Sequence, residues 1–271
     1  MKNLVFLLVI LFSLSSFGST ISVVAVGGRK AANIYLPHDL NAKDKFPLII
    51  SLHGFLSNPK MQNKIFPASN FVDNKGFILV TPYGKRNAVG IRYWNASEVC
   101  CDIFNQDPDD IGYIKKLIAK VKENYSIGDI FLVGHSNGGF LAYRFACEAS
   151  DLISGIVSIS GANNFDQINC HPSKAISILQ IHGTSDRVIK YEGNTKRNIP
   201  SAIESIAPWS TLNHCNNEKP SIFSNIEKEV TSMGWDQCSQ GKSVLLWSVK
   251  NRRHNETLGN NLTSKILNSL F

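Results

Sequence analysis

Hydrophobic positions follow two rhythms along this chain. Short, nearly continuous apolar runs recur at residues 46–52, 77–80, 130–133, 156–159, 176–181 and 244–249. Runs of this kind predict strands buried on both faces, as in a parallel sheet. Between them, apolar residues fall at three- and four-residue spacing. The clearest case is Ile111, Ile114, Leu117, Ile118 and Val121, with Lys115, Lys116, Lys120 and Lys122 between them. This predicts a helix with one buried stripe and a solvated basic side. The stretch Asp107-Pro108-Asp109-Asp110 opens that helix, with Asp107 as cap, Pro108 in the first turn and acids at the positive helix end. Residues 66–72, 201–212 and 262–270 predict further helices. Residues 21–26 and 32–36, around Gly27-Gly28, predict a hairpin. Strands alternating with helices imply a doubly wound, mostly parallel α/β sheet. No repeat, linker or low-complexity stretch interrupts it, so residues 19–271 are expected to form one domain.

The chain's beginning follows neither rhythm. Lys2 is followed by an apolar run over residues 4–12, then by small residues at Ser16 and Gly18. This is the pattern of a secretory signal peptide covering residues 1–18. The run is too short to span a bilayer, so no stable membrane anchor is expected after processing. The six cysteines fit an exported chain, extracellular or periplasmic, that carries disulfides. Cys147–Cys170 and Cys215–Cys238 are the preferred pairs, which leaves Cys100 and Cys101 to each other or unpaired. Cysteine and histidine never fall at zinc spacing, so no metal site is expected. Net charge is +7, with no cluster that reads as a nucleic-acid patch. A monomer is expected.

The run at 130–133 leads into Gly134-His135-Ser136-Asn137-Gly138, and a helical pattern follows at once. A serine at a strand-to-helix turn, between glycines that let strand and helix approach, is a nucleophile elbow. A serine hydroxyl needs a base, and the base needs an acid to fix its tautomer. In open parallel sheets such groups gather beyond the carboxyl ends of strands. Asp186 follows the strand at 176–181 and His254 follows the strand at 244–249. The order Ser136, Asp186, His254 is that of nucleophile, acid and base in α/β-hydrolases. His135 should point away from its neighbouring serine. His53 and His182 precede glycines at strand ends and are expected to shape loops. Two backbone donors must hold the oxyanion. The amide of Asn137 at a helix start and that of Phe55, after His53-Gly54, are the candidates.

These residues resemble the secreted polyhydroxybutyrate depolymerase/feruloyl esterase group of α/β-hydrolases. The similarity runs through Leu52-His53-Gly54, Trp94 with Cys100-Cys101, Asp109-Asp110-Ile111-Gly112, the Ser136 elbow, Cys147-Glu148, His182-Gly183-Thr184-Ser185-Asp186, Cys215 and Cys238. The resemblance implies a Ser136–His254–Asp186 triad and Trp94 as a wall beside the site; the substrate would be a small ester, a polyester oligomer or an acylated polysaccharide, and triad chemistry requires no cofactor. One departure stands out. The family's base lies in a Gly-rich loop followed by Trp-Pro, whereas here it lies in Asn251-Arg252-Arg253-His254-Asn255-Glu256. A serine peptidase on the same fold and a catalytically inactive binding protein are the rival readings. Residues 191–241 are expected to shape the acyl or alcohol pocket.

Overall fold

The apolar runs form the centre of one twisted sheet. In the computed structural model, which describes residues 20–42, 44–163, 170–217 and 219–271, the strands in chain order are β1 (Thr20–Val24), β2 (Ala32–Leu36), β3 (Phe46–Leu52), β4 (Ile78–Thr81), β5 (Lys85–Arg86), β6 (Arg92–Tyr93), β7 (Ile127–His135), β8 (Gly155–Ile159), β9 (Ser177–Gly183), β10 (Ser221–Glu227), β11 (Val230–Trp235) and β12 (Val244–Val249). The expected signal peptide lies outside the described residues. All strands but the β5–β6 ribbon share a sheet ordered β1-β2-β4-β3-β7-β8-β9-β12-β11-β10. The middle of it, from β4 through β3, β7, β8 and β9 to β12, pairs in parallel. The flanking pairs are antiparallel.

Successive residues of a strand point to opposite faces, and both faces are covered. Leu48, Ile50, Leu52, Leu132, Ile156, Ile178 and Leu246 pack on one side. There they meet α3 (Asp110–Lys122), α4 (Asn137–Glu148) and α5 (Ala202–Leu212). Ile49, Val133, Val157, Ile181 and Trp247 pack on the other. There they meet α1 (Pro59–Ile65), α2 (Val72–Lys75) and α6 (Gly259–Leu270). The α3 stripe is buried as its spacing predicted. The reading of 201–212 is likewise met by α5, whose Ser201 and Glu204 form a capping box.

Several expectations are corrected. The helix expected at 66–72 is instead α1, a 3₁₀ turn (Ala68–Phe71) and the short α2. Pro67 forces Phe66 out of the helical region, to φ −124°, and this ends α1. The cap of α3 is Asp109, which accepts the Gly112 amide at 2.7 Å, and not Asp107. Asp107 has φ 42° and its carboxylate accepts from the Asn95 side chain, so it braces a loop. The hairpin β10–β11 was not foreseen. Its outer strand is half polar, and Ile222 is 80% exposed, so the segment shows no apolar run. This hairpin widens the sheet. Disulfides join Cys147 to Cys170, Cys215 to Cys238, and Cys100 to Cys101. Among the described residues no helix is long and apolar enough to cross a membrane.

Candidate active site

Ser136 sits where β7 turns into α4, with φ 51° and ψ −120°. A side chain rarely adopts such a backbone, and here the surroundings impose it. The Ser136 amide donates to the Ile159 carbonyl at the end of β8, at 2.8 Å. Its carbonyl accepts from Gly139 and Phe140, at 2.7 and 3.0 Å. The flanking glycines are required by contact. A Cβ on Gly134 would lie 2.0 Å from the Gly138 carbonyl oxygen, and one on Gly138 would lie 2.3 Å from that of Leu52. The elbow therefore closes only without side chains at these positions. It leaves Ser136 partly exposed while its neighbours are buried.

The loops after β9 and β12 bring the other two predicted side chains to this serine. His254 Nε2 lies 2.9 Å from Ser136 Oγ, and His254 Nδ1 lies 2.7 Å from Asp186 Oδ2. The other carboxylate oxygen of Asp186 accepts the Val188 and Ile189 amides at 2.9 and 3.0 Å. Burial by itself raises the Asp186 carboxyl. The hydrogen bond and charge of His254, with the Val188 amide, outweigh it and hold the group below the ordinary carboxylate range. An ionised Asp186 fixes the proton on Nδ1 and leaves the Nε2 lone pair facing the serine.

The His135 ring packs beside that of His254, with centroids 4.9 Å apart. Its Nε2–H donates to the His254 carbonyl at 2.8 Å, so it helps hold His254 in place. Burial, then the neighbouring His254, pushes its pKa down to about 3, and it stays neutral. His182 also shapes its loop. It donates to the Ile189 carbonyl at 2.8 Å and accepts from Gln180. Arg252 was not foreseen. It is buried, donates to Ser160 Oγ at 3.1 Å and bonds the Glu256 carbonyl. Its own carbonyl accepts the Ser185 amide at 3.2 Å, one residue before Asp186. Burial lowers its pKa to about 10, which leaves it charged at neutral pH. The sequence signal was the Arg-Arg pair before His254, where the resembling family has glycines.

On the other side of Ser136 runs the His53-Gly54-Phe55 loop. A Cβ on Gly54 would lie 3.3 Å from Ser136 Cβ, so this loop passes directly over the elbow. The amides of Phe55 and Asn137 donate to no acceptor among the described residues. Unpaired amides beside a hydroxyl are what an oxyanion requires. Trp94 is corrected. It is fully buried, with its indole 5.1 Å from the His53 ring and 6.5 Å from Tyr113, so it is no wall of an open site. A polar cavity of about 1240 Å³ begins at Asn95, the next residue. Asp107, Arg144, Glu148, Asn163 and Glu204 also line it. Thr195, Asn198 and Glu204 of the 191–241 segment line this cavity, whose lining includes none of Ser136, Asp186 and His254.

A family model described as Phospholipase/Carboxylesterase matches residues 40–206. Over 238 residues, 84% of this chain, the sequence is 25% identical to a bifunctional acetylxylan esterase/xylanase of Neocallimastix patriciarum, and the match covers 31% of that protein. Over 235 residues, 82% of this chain, it is 21% identical to feruloyl esterase B of Piromyces equi, and the match covers 42% of that protein. The chain spans about a third to two fifths of the length of these relatives. Among solved structures, an acetyl xylan esterase from Aspergillus awamori aligns with a TM-score of 0.69 at 12% identity, over 92% of this chain and 99% of that one. The likeness shows a common α/β-hydrolase fold.

Proposed function

The chain belongs to the phospholipase/carboxylesterase family, and from that premise we propose that it is a secreted serine esterase working through a covalent acyl-enzyme. One observation carries the reading. Ser136 Oγ, His254 and Asp186 form an unbroken hydrogen-bonded line at 2.9 and 2.7 Å. In the proposed mechanism His254 Nε2 takes the hydroxyl proton as Ser136 Oγ attacks the ester carbonyl. The tetrahedral oxyanion is held by the Phe55 and Asn137 amides. His254 returns the proton to the leaving alcohol, the ester bond breaks, and the acyl group stays on Ser136. A water, deprotonated by the same imidazole, releases the acid. No step needs a cofactor.

The substrate is proposed to be an acyl ester on a hydroxyl-rich carrier, such as an acetyl or feruloyl ester of xylan. The relatives' names support this. Export is supported by the apolar leader and by the disulfides, which persist in oxidising compartments. The test is a fluorophosphonate probe on the purified protein, with nitrophenyl acetate, acetylated and feruloylated xylo-oligosaccharides and peptide amides as substrates. Wild type should label and cleave esters but not amides. Ser136→Ala should not label and should lose roughly 10⁶-fold in kcat. A wild-type protein that neither labels nor hydrolyses any ester would end the proposal.

A further inference from the structure

The amides of Phe55 and Asn137 sit on segments far apart in sequence, one after β3 and one at the start of α4. We propose that Trp94 is a positioning residue for the reaction, a strut that fixes the separation of these two donors. This rests on the esterase reading above. The Asn137 carboxamide grips the Trp94 backbone from both sides. Its Oδ1 accepts the Trp94 amide at 2.8 Å, and its Nδ2 donates to the Trp94 carbonyl at 2.9 Å. The same Nδ2 lies 3.5 Å from Cys100 Sγ. The Trp94 indole then reaches the opposite segment, where Nε1–H donates to the His53 carbonyl at 2.8 Å. His53 is fixed in its turn. Its Nε2 accepts the Gly84 amide at 3.0 Å, and its Nδ1–H donates to the Gly54 carbonyl at 2.8 Å.

One continuous series of bonds thus runs from the residue that carries one donor to the loop that carries the other. Trp94, Asn137 and His53 are all fully buried. A polar group in such a place has no water to turn to when its bond breaks, so the series resists being stretched. The glycine contacts do a different job. Leu52 against Gly138 keeps the two segments from closing further, but nothing in that contact keeps them from parting. The β3–β7 ladder ties the segments together only as far as Leu52 and Gly134, and the strut carries that restraint past the strand ends to the loop and helix start that bear the donors. Oxyanion stabilisation depends on donors fixed in advance, and a small error in their placement is felt in the transition state more than in substrate binding.

The test is Trp94→Phe in the full chain, which keeps an aromatic ring beside His53 and deletes the indole N–H. With nitrophenyl acetate, kcat should fall by about 10–10²-fold while KM stays within about twofold. Affinity for an alkyl trifluoromethyl ketone, whose adduct with Ser136 places an oxygen anion between the two amides, should fall by the same factor as kcat/KM. Asn137→Asp is the second variant. It keeps an acceptor for the Trp94 amide, loses the donor to the Trp94 carbonyl, and should shift kcat and ketone affinity together in the same direction. Should Trp94→Phe fail to fold, this variant decides. An unchanged kcat, or a raised KM with kcat intact, overturns the strut and returns Trp94 to core packing. Fluorophosphonate labelling of wild type but not of Ser136→Ala shows whether the underlying reading stands when the strut does not.

Discussion

The two sides of the Ser136 site are held by different means. Around Ser136, backbone meets backbone. Gly134 sits against Gly138 and Gly138 against Leu52, with no room for a single methyl group. Around Asp186 and His254, side chains do the holding. Asp186 is fixed by two amides, His254 by His135, and their loops by Arg252 through Ser160, Glu256 and Ser185. Backbone contact is unforgiving, because any added atom must move a strand or a helix. Side-chain bonds are replaceable, because losing one shifts a loop and leaves the sheet intact. Damage on the first side should therefore appear as lost stability, and damage on the second as lost activity in a folded protein.

The largest effect is expected at Gly138→Ala. The new methyl would meet the Leu52 carbonyl oxygen at 2.3 Å, and only backbone displacement relieves it. We expect a loss of about 3 kcal/mol in chemical denaturation, together with most of the ester hydrolysis, since α4 and Asn137 must move. A variant of wild-type stability would remove the backbone half of the comparison. Next comes Arg252→Met. It deletes a buried charge and keeps volume, so stability should change little. The His254 loop loses its tie to Ser160, and kcat/KM should fall roughly 10²-fold. If stability fell and the remaining folded protein kept full activity, Arg252 would belong with the glycines.

The smallest effect is a slope. Burial pushes His53 down to about 4 and His135 to about 3, from an ordinary value of 6.5. The unfolded chain takes up protons on both below pH 6.5, and the folded chain does not until about 4 and 3. Their contribution is whole above pH 6.5 and is lost as pH falls through that window. Each histidine should remove about 1.4 kcal/mol of stability per pH unit there. Asp186, whose carboxyl is lowered in the fold, acts in the same direction at still lower pH. Denaturant midpoints measured from pH 7 to 4.5 should decline steadily. A flat profile would mean that these imidazoles are not held neutral by burial.

Much of this was legible in the chain itself. The parallel strands announced themselves as unbroken apolar runs, since a strand covered on both faces has no polar side. The elbow announced itself because only glycine fits where strand and helix nearly touch, so contact is written as an absence of side chain. The antiparallel hairpin β10–β11 was harder to see. One of its sides faces water, and its alternation is diluted by polar residues.

The sequence by itself determined the layered α/β architecture, the serine and the order of its two partners, because periodicity and backbone conformation are local demands that a few neighbouring residues satisfy. Only the tertiary structure decided the placement of His135 against His254, of Arg252 under its loop, and of Trp94 between the Asn137 side chain and the His53 carbonyl. Those bonds join segments tens of residues apart, and no local rule says which buried donor will meet which carbonyl until the sheet has brought them together.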